Sequence, residues 1–201
     1  MQVRGNQLAD DAGELVEFQR SPNRRGTVDP QYLILHYTAG VTLEGATSWF
    51  MKPEAQAAAH LVIGRNGRIV QMVRFDQRAW HAGVSEWGTL KGMNAFSLGI
   101  ELVNAGKLKR SEGGTWTNWA GVTIPPDEVV QLQHKAEDAV AGWQIYPEAQ
   151  IATLIRVAAA LQAQYGLKEI LGHEDIAPGR KVDPGPAFPM AAVVGRVVGR
   201  R

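Results

Sequence analysis

Residues 171–188 read LGHEDIAPGRKVDPGPAF, and the rest of the chain is best interpreted outward from this stretch. It contains two side chains that commonly bind metals, His173 and Asp183, and a lysine, Lys181, two residues before the aspartate. Its prolines and glycines restrict the backbone to a few turn conformations, so the polar side chains should be held in place. A rigid loop that carries an imidazole, a carboxylate and an ammonium group indicates part of a functional site.

Two short apolar runs lead into histidines. Tyr32–Leu35 is a continuous apolar run, typical of a strand buried on both faces, and His36 follows it directly. A second short strand, Lys168–Leu171, delivers His173. In open α/β sheets, ligands bind at the carboxyl ends of the strands. If the two strands are neighbours, His36, His173 and Asp183 converge at one edge, and a catalytic zinc site needs three such ligands with a fourth position open.

A carboxylate interrupts a third apolar run, Ser97–Val103, at Glu101. A buried carboxylate is costly unless it is paired, hydrogen-bonded or beside a metal. Two interpretations are open: an ion pair with an arginine, or a general base that activates water beside a metal. Lys181 likewise either donates to an oxyanion or is an ordinary surface lysine.

The regular elements predict the fold class. Thr42 is placed to cap a helix that runs to about Met51, and Asn66-Gly67 predicts a hairpin turn between two β-rich runs. Apolar residues at helical spacing predict a helix over Pro147–Tyr165, which Gly166 terminates. Strands, a hairpin and helices in this order predict an α/β fold with a single-domain mixed central β-sheet and helices packed on it.

The remaining segments are less regular. We expect an N-terminal arm over residues 1–20 with a short helix at 11–18, an exposed excursion over 104–122 that flanks a cleft, and a C-terminal tail over 190–201 that forms a short fraying helix. The Pro-Pro-Asp-Glu start of residues 125–138 suits a helix N-terminus. His134 lies among polar residues and is expected to be solvated. Four tryptophans either pack in the interior or frame a groove: Trp80, Trp87, Trp116 and Trp119.

Composition excludes several classes of protein. The 201 residues, 45% of them hydrophobic, suffice for one well-filled domain, and we expect a monomer. A formal charge of +1 without a basic stripe argues against nucleic-acid binding, and no apolar run is long enough to span a membrane. The absence of cysteine excludes disulfides and thiolate ligands. The N-terminus lacks a secretory signal pattern, so we expect a cytoplasmic protein, with a phage lysin or a protein exported without a recognisable signal as alternatives.

Several motifs together resemble a known family. They are LILHYTAG at 33–40, AHLVIGRNGRIVQ at 59–71, NAFSLGIELVN at 94–104 and the 171–188 stretch. The chain resembles the zinc-dependent N-acetylmuramoyl-L-alanine amidases of the amidase-2 family, whose fold is shared with phage T7 lysozyme and the peptidoglycan recognition proteins. The resemblance covers residues 21–189 as a catalytic domain. It is closest to the AmpD/AmiD branch, which has an aspartate where other members often have a cysteine.

The resemblance implies a role for each candidate residue. It implies that His36, His173 and Asp183 bind Zn²⁺, that Glu101 activates the water, and that Lys181 stabilises the tetrahedral intermediate. His81 and Asn94 match positions that line the substrate groove. His60 also matches a family histidine, but we expect a structural role because three ligands are already present. Ala59 replaces a tyrosine of the phage lysozymes, so a tyrosine-assisted mechanism is not expected.

The implied reaction is hydrolysis of the lactyl–L-alanine amide of peptidoglycan or of (anhydro)muropeptides, and the implied partner is this peptidoglycan or muropeptide substrate. Two alternatives remain. One is a non-catalytic peptidoglycan-binding module, whose family members usually lack a metal ligand. The other is a metal-dependent peptidase that cuts elsewhere in the stem peptide.

Overall fold

A six-stranded sheet forms the centre of the molecule in the computed structural model, which describes residues 1–199. From one edge to the other, its strands are β17 (Glu169–Gly172), β5 (Tyr32–Tyr37), β11 (Ser97–Leu102), β6 (Leu61–Ile63), β7 (Ile69–Gln71) and β3 (Glu17–Phe18). The pairs β17/β5, β5/β11, β11/β6 and β7/β3 are parallel, and β6/β7 is an antiparallel hairpin. The strands that carry His36 and His173 are therefore neighbours, which is the condition for their side chains to converge.

The sheet is covered on both faces because side chains alternate along its strands. Leu33 and Leu35 pack in one cluster with residues of α2 (Glu148–Tyr165) and α4 (Met190–Val198). Ile34 lies between them and belongs to a different cluster. Opposite α2, α1 (Leu43–Phe50) packs on the sheet through Leu43 and Phe50. His36 lies two residues after Ile34 on the same strand, so both side chains point to the face opposite α2.

The chain between β11 and α2 forms a second, antiparallel sheet. Its strand order is β14 (Thr123–Ile124), β13 (Trp116–Thr117), β12 (Lys107–Arg110), β16 (Val140–Gln144) and β15 (Val129–Gln133). It packs on the loop that follows His173: a Cβ added to Gly185 would lie 2.5 Å from the Trp143 ring, and the Tyr146 hydroxyl donates to the carbonyl of Pro184 at 2.8 Å.

The smaller elements complete the chain. They are the two-stranded sheets β1 (Gln2–Arg4) with β2 (Gln7–Ala9), β4 (Arg24–Thr27) with β8 (Gln77–Ala79), and β9 (Glu86–Trp87) with β10 (Leu90–Lys91), together with the one-turn helix α3 (His173–Ile176). Within residues 1–199, no helix has both the length and the apolar character that crossing a bilayer requires.

Most regular elements agree with the sequence predictions. The Thr42 hydroxyl caps α1 by accepting from the Gly45 amide at 3.1 Å. Asn66-Gly67 turns the β6/β7 hairpin, and α2 ends at Gly166 in the left-handed conformation. The tail helix is present as α4, which ends at Val198; the last two residues of the predicted tail lie outside the described residues.

The helix predicted at residues 11–18 is wrong. Gly13 has φ +85° and turns the chain, and a bridge between Ala9 and Leu15 closes the turn before β3 begins. The arm is also part of the packed structure, because Leu8 and Ala9 are fully buried and β3 forms the edge of the central sheet.

The helix suggested for residues 125–138 is also wrong. Pro126–Glu128 forms a single 3₁₀ turn, after which β15 begins at Val129. The cause is tertiary: the valines and Leu132 of this segment pair with β16 along five residues, and this pairing overrides the local start signal.

The prediction that His134 is solvated is wrong as well. Its side chain is buried, stacks on the Trp143 ring with 5.9 Å between centroids, and lies 2.8 Å from the Glu174 carboxylate. Its neighbour Lys135 is exposed, with 55% of its side chain accessible, although it contacts the same carboxylate.

Candidate active site

Three potential metal ligands meet at the edge of the central sheet. His36 is the penultimate residue of β5, His173 directly follows the neighbouring strand β17, and Asp183 lies on the loop beyond α3. His36 Nδ1 is 2.9 Å from His173 Nδ1, and each of these nitrogens is 3.0 Å from Asp183 Oδ2. The three residues predicted from the sequence are thus the one group within residues 1–199 whose ligand atoms are clustered for a metal ion.

The outer nitrogens of both histidines contact protein groups that fix their tautomers. His173 Nε2 lies 3.1 Å from the carbonyl oxygen of Ala82, which can only accept, so Nε2 carries the proton. His81 Nε2 faces the carbonyl oxygen of Ser97 at 3.4 Å, so Nε2 carries the His81 proton and His81 Nδ1 is an acceptor. His36 Nε2 lies 3.0 Å from His81 Nδ1 and therefore donates to it. Both Nδ1 lone pairs then point at the triangle, as metal-binding imidazoles require.

This donor set fits a zinc ion. Tetrahedral zinc with bonds of about 2.0–2.2 Å places its ligand atoms about 3.3–3.6 Å apart, a few tenths of an ångström wider than the triangle of 2.9–3.0 Å. Burial lowers the pKa of His36 to about 4, so this imidazole is neutral at neutral pH. Burial by itself would raise the pKa of Asp183, but its contacts with His173 and His36 outweigh burial and hold that pKa well below the usual range. Two imidazole nitrogens and a carboxylate oxygen, all within about 3 Å of one another, form a donor set that a divalent cation would satisfy.

Glu101 stands beside the triangle. It is the register partner of His36 in the parallel pair of β11 and β5, so the two side chains leave the sheet on the same face. Its Oε2 atom is buried and has no hydrogen-bond partner within residues 1–199, and the same residues offer it no ion pair with an arginine. Burial raises the pKa of Glu101 to about 8, with Asp183 adding to the rise and Lys181 opposing it. The free carboxylate favours the general-base interpretation over the ion pair.

An open cavity of about 630 Å³ contains all of these groups. Its polar lining residues include His36, His81, Glu101, His173, Arg180, Lys181 and Asp183. Its apolar lining residues include Ala46, Trp49, Phe50, Ala57, Ala58, Trp80 and Trp119. The volume is in the range of small-molecule sites. Lys181 therefore shares the cavity with Glu101.

The two predicted groove residues have different positions. His81 lines the cavity and supports His36 from behind. Asn94 is not among the residues that line the cavity; its side-chain oxygen accepts from the backbone amides of His81 (3.0 Å) and Ala82 (2.7 Å). Asn94 thus fixes the backbone of His81 and Ala82. The His81 side chain contacts Nε2 of His36, and the Ala82 carbonyl contacts Nε2 of His173.

His60 agrees with its predicted structural role. Its Nδ1 accepts from the Gly99 amide at 2.9 Å, and its Nε2 donates to the Gln77 carbonyl at 2.9 Å. Both ring nitrogens are therefore used, and His60 is not part of the triangle.

Two residues of the site were missed by the sequence interpretation. Arg180 donates to the carbonyls of Ala82 (2.8 Å) and Val84 (2.5 Å), which ties the 82–84 segment to the metal loop. Trp49 projects from α1 into the cavity wall. The available signal for Arg180 was its place directly before Lys181, and for Trp49 an aromatic residue on the first helix after the His36 strand.

The four tryptophans proposed from the sequence divide evenly. Trp80 and Trp119 line the cavity. Trp87 instead donates from Nε1 to Glu169 at 3.0 Å, and Trp116 packs over Gly142. The excursion that carries Trp119 does flank the cavity, because the Trp119 indole N–H donates to the Ala39 carbonyl at 2.9 Å.

A triangle of metal ligands, a free carboxylate and a free ammonium group in one open cavity are characteristic of a metal-dependent hydrolase. Comparison with known proteins gives the family: the N-acetylmuramoyl-L-alanine amidase model Amidase_2 matches residues 26–186, and the chain belongs to this family.

The relatives include both AmpD and AmiD, the two proteins after which the AmpD/AmiD branch is named. The 1,6-anhydro-N-acetylmuramyl-L-alanine amidase AmpD of Escherichia coli K12 is 35% identical over 169 residues, which are 83% of this chain and 65% of that protein. The crystal structure of a selenomethionine AmpD derivative superposes with a TM-score of 0.70 at 26% identity and covers 98% of this chain and 99% of that one. The complex of E. coli AmiD with the substrate anhydro-N-acetylmuramic acid-L-Ala-D-gamma-Glu-L-Lys gives 0.63 at 30% identity and covers 85% of this chain and 58% of that one. The chain thus spans just under two thirds of E. coli AmpD, and the predicted fold is confirmed.

Proposed function

We propose that this protein is a zinc-dependent N-acetylmuramoyl-L-alanine amidase, which hydrolyses the amide between the lactyl group of N-acetylmuramic acid and the L-alanine of the stem peptide. The observation that carries the proposal is the free Glu101 carboxylate beside the triangle of His36, His173 and Asp183. A module that only binds peptidoglycan has no need to keep an unpartnered carboxylate in its interior, since such a group costs stability.

His36, His173 and Asp183 would hold the zinc ion. Two imidazoles favour zinc over calcium or magnesium, which prefer oxygen ligands. When bound, zinc supplies Lewis-acid chemistry: it polarises a carbonyl and makes water more acidic.

Glu101 is the proton acceptor in the proposed reaction. Glu101 lines the cavity, where its carboxylate can take a proton from the attacking water and later deliver it to the departing amine of L-alanine. The positive charge of Lys181 favours the ionised form of Glu101, against the effect of burial.

Lys181 can stabilise the negative charge that develops on the carbonyl oxygen of the substrate. Lys181 lies in the cavity wall and forms no ion pair within the part of the chain that is described, so its ammonium group is free to donate to the oxygen of the tetrahedral intermediate. Such a donor typically contributes about 10²–10³ to kcat.

The substrate class is supported by the relatives. The substrate named in the E. coli AmiD complex consists of an anhydromuramoyl sugar and a tripeptide. A cavity of about 630 Å³ that is open to solvent is large enough to take the part of such a molecule around the amide.

The test is digestion of a soluble anhydromuropeptide and of intact sacculi, with zinc and with a chelator, followed by mass spectrometry. We expect zinc-dependent release of a stem peptide with a free L-alanine amino group and of a sugar with a free lactyl carboxylate. Binding without cleavage would identify a recognition module. Products cut within the peptide would identify a metallopeptidase.

A further inference from the structure

The residue that directly follows each candidate metal ligand contacts the same part of the chain, the segment 104–146 that contains the second sheet. These following residues are Tyr37, Glu174 and Pro184. The ligands come from two strand ends and a loop, and a contact beside each of them ties their positions to one support. Segment 104–146 can therefore set the spacing of the three ligand atoms.

The contact at Tyr37 is a close approach to Gly106. A Cβ added to Gly106 would lie 2.3 Å from the Tyr37 ring, so a side chain at this position would displace the ring. Gly106 also has φ +69°, a conformation that glycine adopts at little cost. Tyr37 is the last residue of β5, so the packing of its ring limits the movement of the strand end that carries His36.

The contact at Glu174 is its hydrogen bond with the buried side chain of His134, in which 2.8 Å separate Nε2 and Oε2. Glu174 also donates its backbone amide to the carbonyl of Asp183 at 2.9 Å. Glu174 is thus connected to His173 through the chain and to Asp183 through this hydrogen bond. Its contact with His134 therefore restrains two ligands at once.

The contact at Pro184 comes from Tyr146, in the linker between β16 and α2. The Tyr146 hydroxyl donates to the Pro184 carbonyl at 2.8 Å, and its ring packs edge-on against Phe188 with 5.2 Å between centroids. Phe188 is part of the core cluster beneath α2 and α4, so the Tyr146 ring has a fixed base. Because Glu174 binds the Asp183 carbonyl and Tyr146 binds the next one, the backbone has little freedom to turn the Asp183 carboxylate away from the two histidines.

We propose that segment 104–146 positions the zinc ligands, and that Tyr146 is a positioning residue that acts on Asp183 through Pro184. The inference rests on the proposed function, because zinc is the ion that the triangle is proposed to hold. Outer contacts that orient metal ligands typically change metal affinity about 10–100-fold. Tyr146 does not line the cavity, so a change of its hydroxyl reaches the site only through the loop.

The test compares two tyrosines that pack against the same core cluster. Tyr146→Phe removes the hydroxyl that holds Pro184 and keeps the ring. Tyr165→Phe is the matched control, because the Tyr165 hydroxyl is buried without a hydrogen-bond partner within residues 1–199. Competition with a chelator measures zinc affinity, and we expect it to be about 10-fold weaker in Tyr146→Phe and unchanged in Tyr165→Phe. Urea unfolding of the metal-free proteins checks that both variants are folded.

Cobalt substitution supplies a second readout, which a loss of stability alone would not move. Co²⁺ can replace zinc, and its visible absorption depends on the geometry of its ligands. We expect Tyr146→Phe to alter this absorption spectrum and Tyr165→Phe to retain the wild-type spectrum. A wild-type spectrum in Tyr146→Phe would contradict the positioning role.

The outcomes separate this inference from the proposed function. If the wild-type protein binds no zinc, the proposed function fails and the inference fails with it. If the wild type binds zinc and Tyr146→Phe binds it equally well, the inference alone is overturned, and the proposed function stands.

Discussion

His134 Nε2 lies 2.8 Å from Glu174 Oε2, and this contact joins the second sheet to the loop of metal-ligand candidates. Glu174 directly follows His173 and also accepts from the Gly185 amide at 3.3 Å. Lys135, the neighbour of His134, reaches the other oxygen of the same carboxylate at 3.0 Å. The sheet between β11 and α2 is therefore a support for the site as well as a wall of its cavity.

We expect His134→Ala to lower the free energy of unfolding by about 2–3 kcal/mol, because it removes a buried partner of Glu174 and the stacking on Trp143. Loss of this outer contact should also weaken zinc binding about 10-fold. Urea unfolding of the metal-free protein and competition with a chelator measure the two effects.

Lys135→Ala is the control for His134→Ala. Lys135 contacts the same carboxylate, but its side chain is 55% exposed, so we expect a loss of no more than about 1 kcal/mol. If both variants lose the same stability, the buried contact has no special role.

Glu101→Gln should keep zinc and lose turnover. The amide is nearly the size of the carboxylate but cannot accept the proton, so we expect kcat to fall by about 10²–10⁴. His173→Ala should lose both zinc and turnover, because it removes a ligand. Metal content by mass spectrometry and the release of stem peptide separate the two results, and zinc-dependent cleavage by Glu101→Gln at the wild-type rate would rule out its role as base.

Lys181→Ala should lower kcat by about 10²–10³ with zinc content unchanged, because the donor to the developing oxyanion is lost. The exposed Lys91 on β10 provides the control, since Lys91→Ala removes the same charge without touching the cavity. A fall in activity that is equal in both variants would indicate a general effect of net charge instead.

The residues of the triangle were predictable because each follows a local signal. An apolar run before His36, another before His173, and a proline-rich loop at Asp183 placed three ligands at one sheet edge. Glu101 was visible for the same reason, as a charge inside an apolar strand. The periodicity of buried strands carries this information without any knowledge of distant contacts.

The contacts of the second sheet were not predictable in this way. His134 and Glu174 are 40 residues apart, and the polar neighbours of His134 give no sign that its side chain turns inward. Trp49 falls within the helix predicted after Thr42, but whether its side chain meets protein or a cavity depends on the packing of the whole chain. Tertiary contacts decided both cases, as they decided that residues 129–133 form a strand.

His60 should make the protein less stable in acid. Burial lowers the pKa of His60 from 6.5 to about 4, and the hydrogen bond to the Gln77 carbonyl opposes this only in part. The folded pKa is below the unfolded one, so this contribution is complete above about pH 6.5 and is lost as the pH falls toward 4. A shift of this size corresponds to about 3 kcal/mol. His81, whose ring centroid is 5.8 Å away, is also buried with a lowered pKa and acts in the same direction.

The measurement is the free energy of unfolding between pH 7.5 and pH 4.5, in the presence of a chelator so that metal release does not contribute. His60→Gln keeps one donor and one acceptor but does not titrate, so its stability should fall less steeply than that of the wild type. Parallel curves for the two proteins would contradict the assignment.

Gly99→Ala should weaken metal binding although Gly99 is not a ligand. A Cβ at this position would lie 2.5 Å from Cγ of His81, and His81 Nδ1 is the group that receives the outer N–H of His36. The added methyl must displace the imidazole, which we expect to cost about 1–3 kcal/mol of stability and about 10-fold or more in zinc affinity. Gly195→Ala is the control, because a Cβ there meets no atom within 4 Å, and it should leave zinc affinity unchanged. Competition with a chelator measures the zinc affinity of both variants. Wild-type affinity in Gly99→Ala would show that the position of the His81 ring does not influence zinc binding by His36.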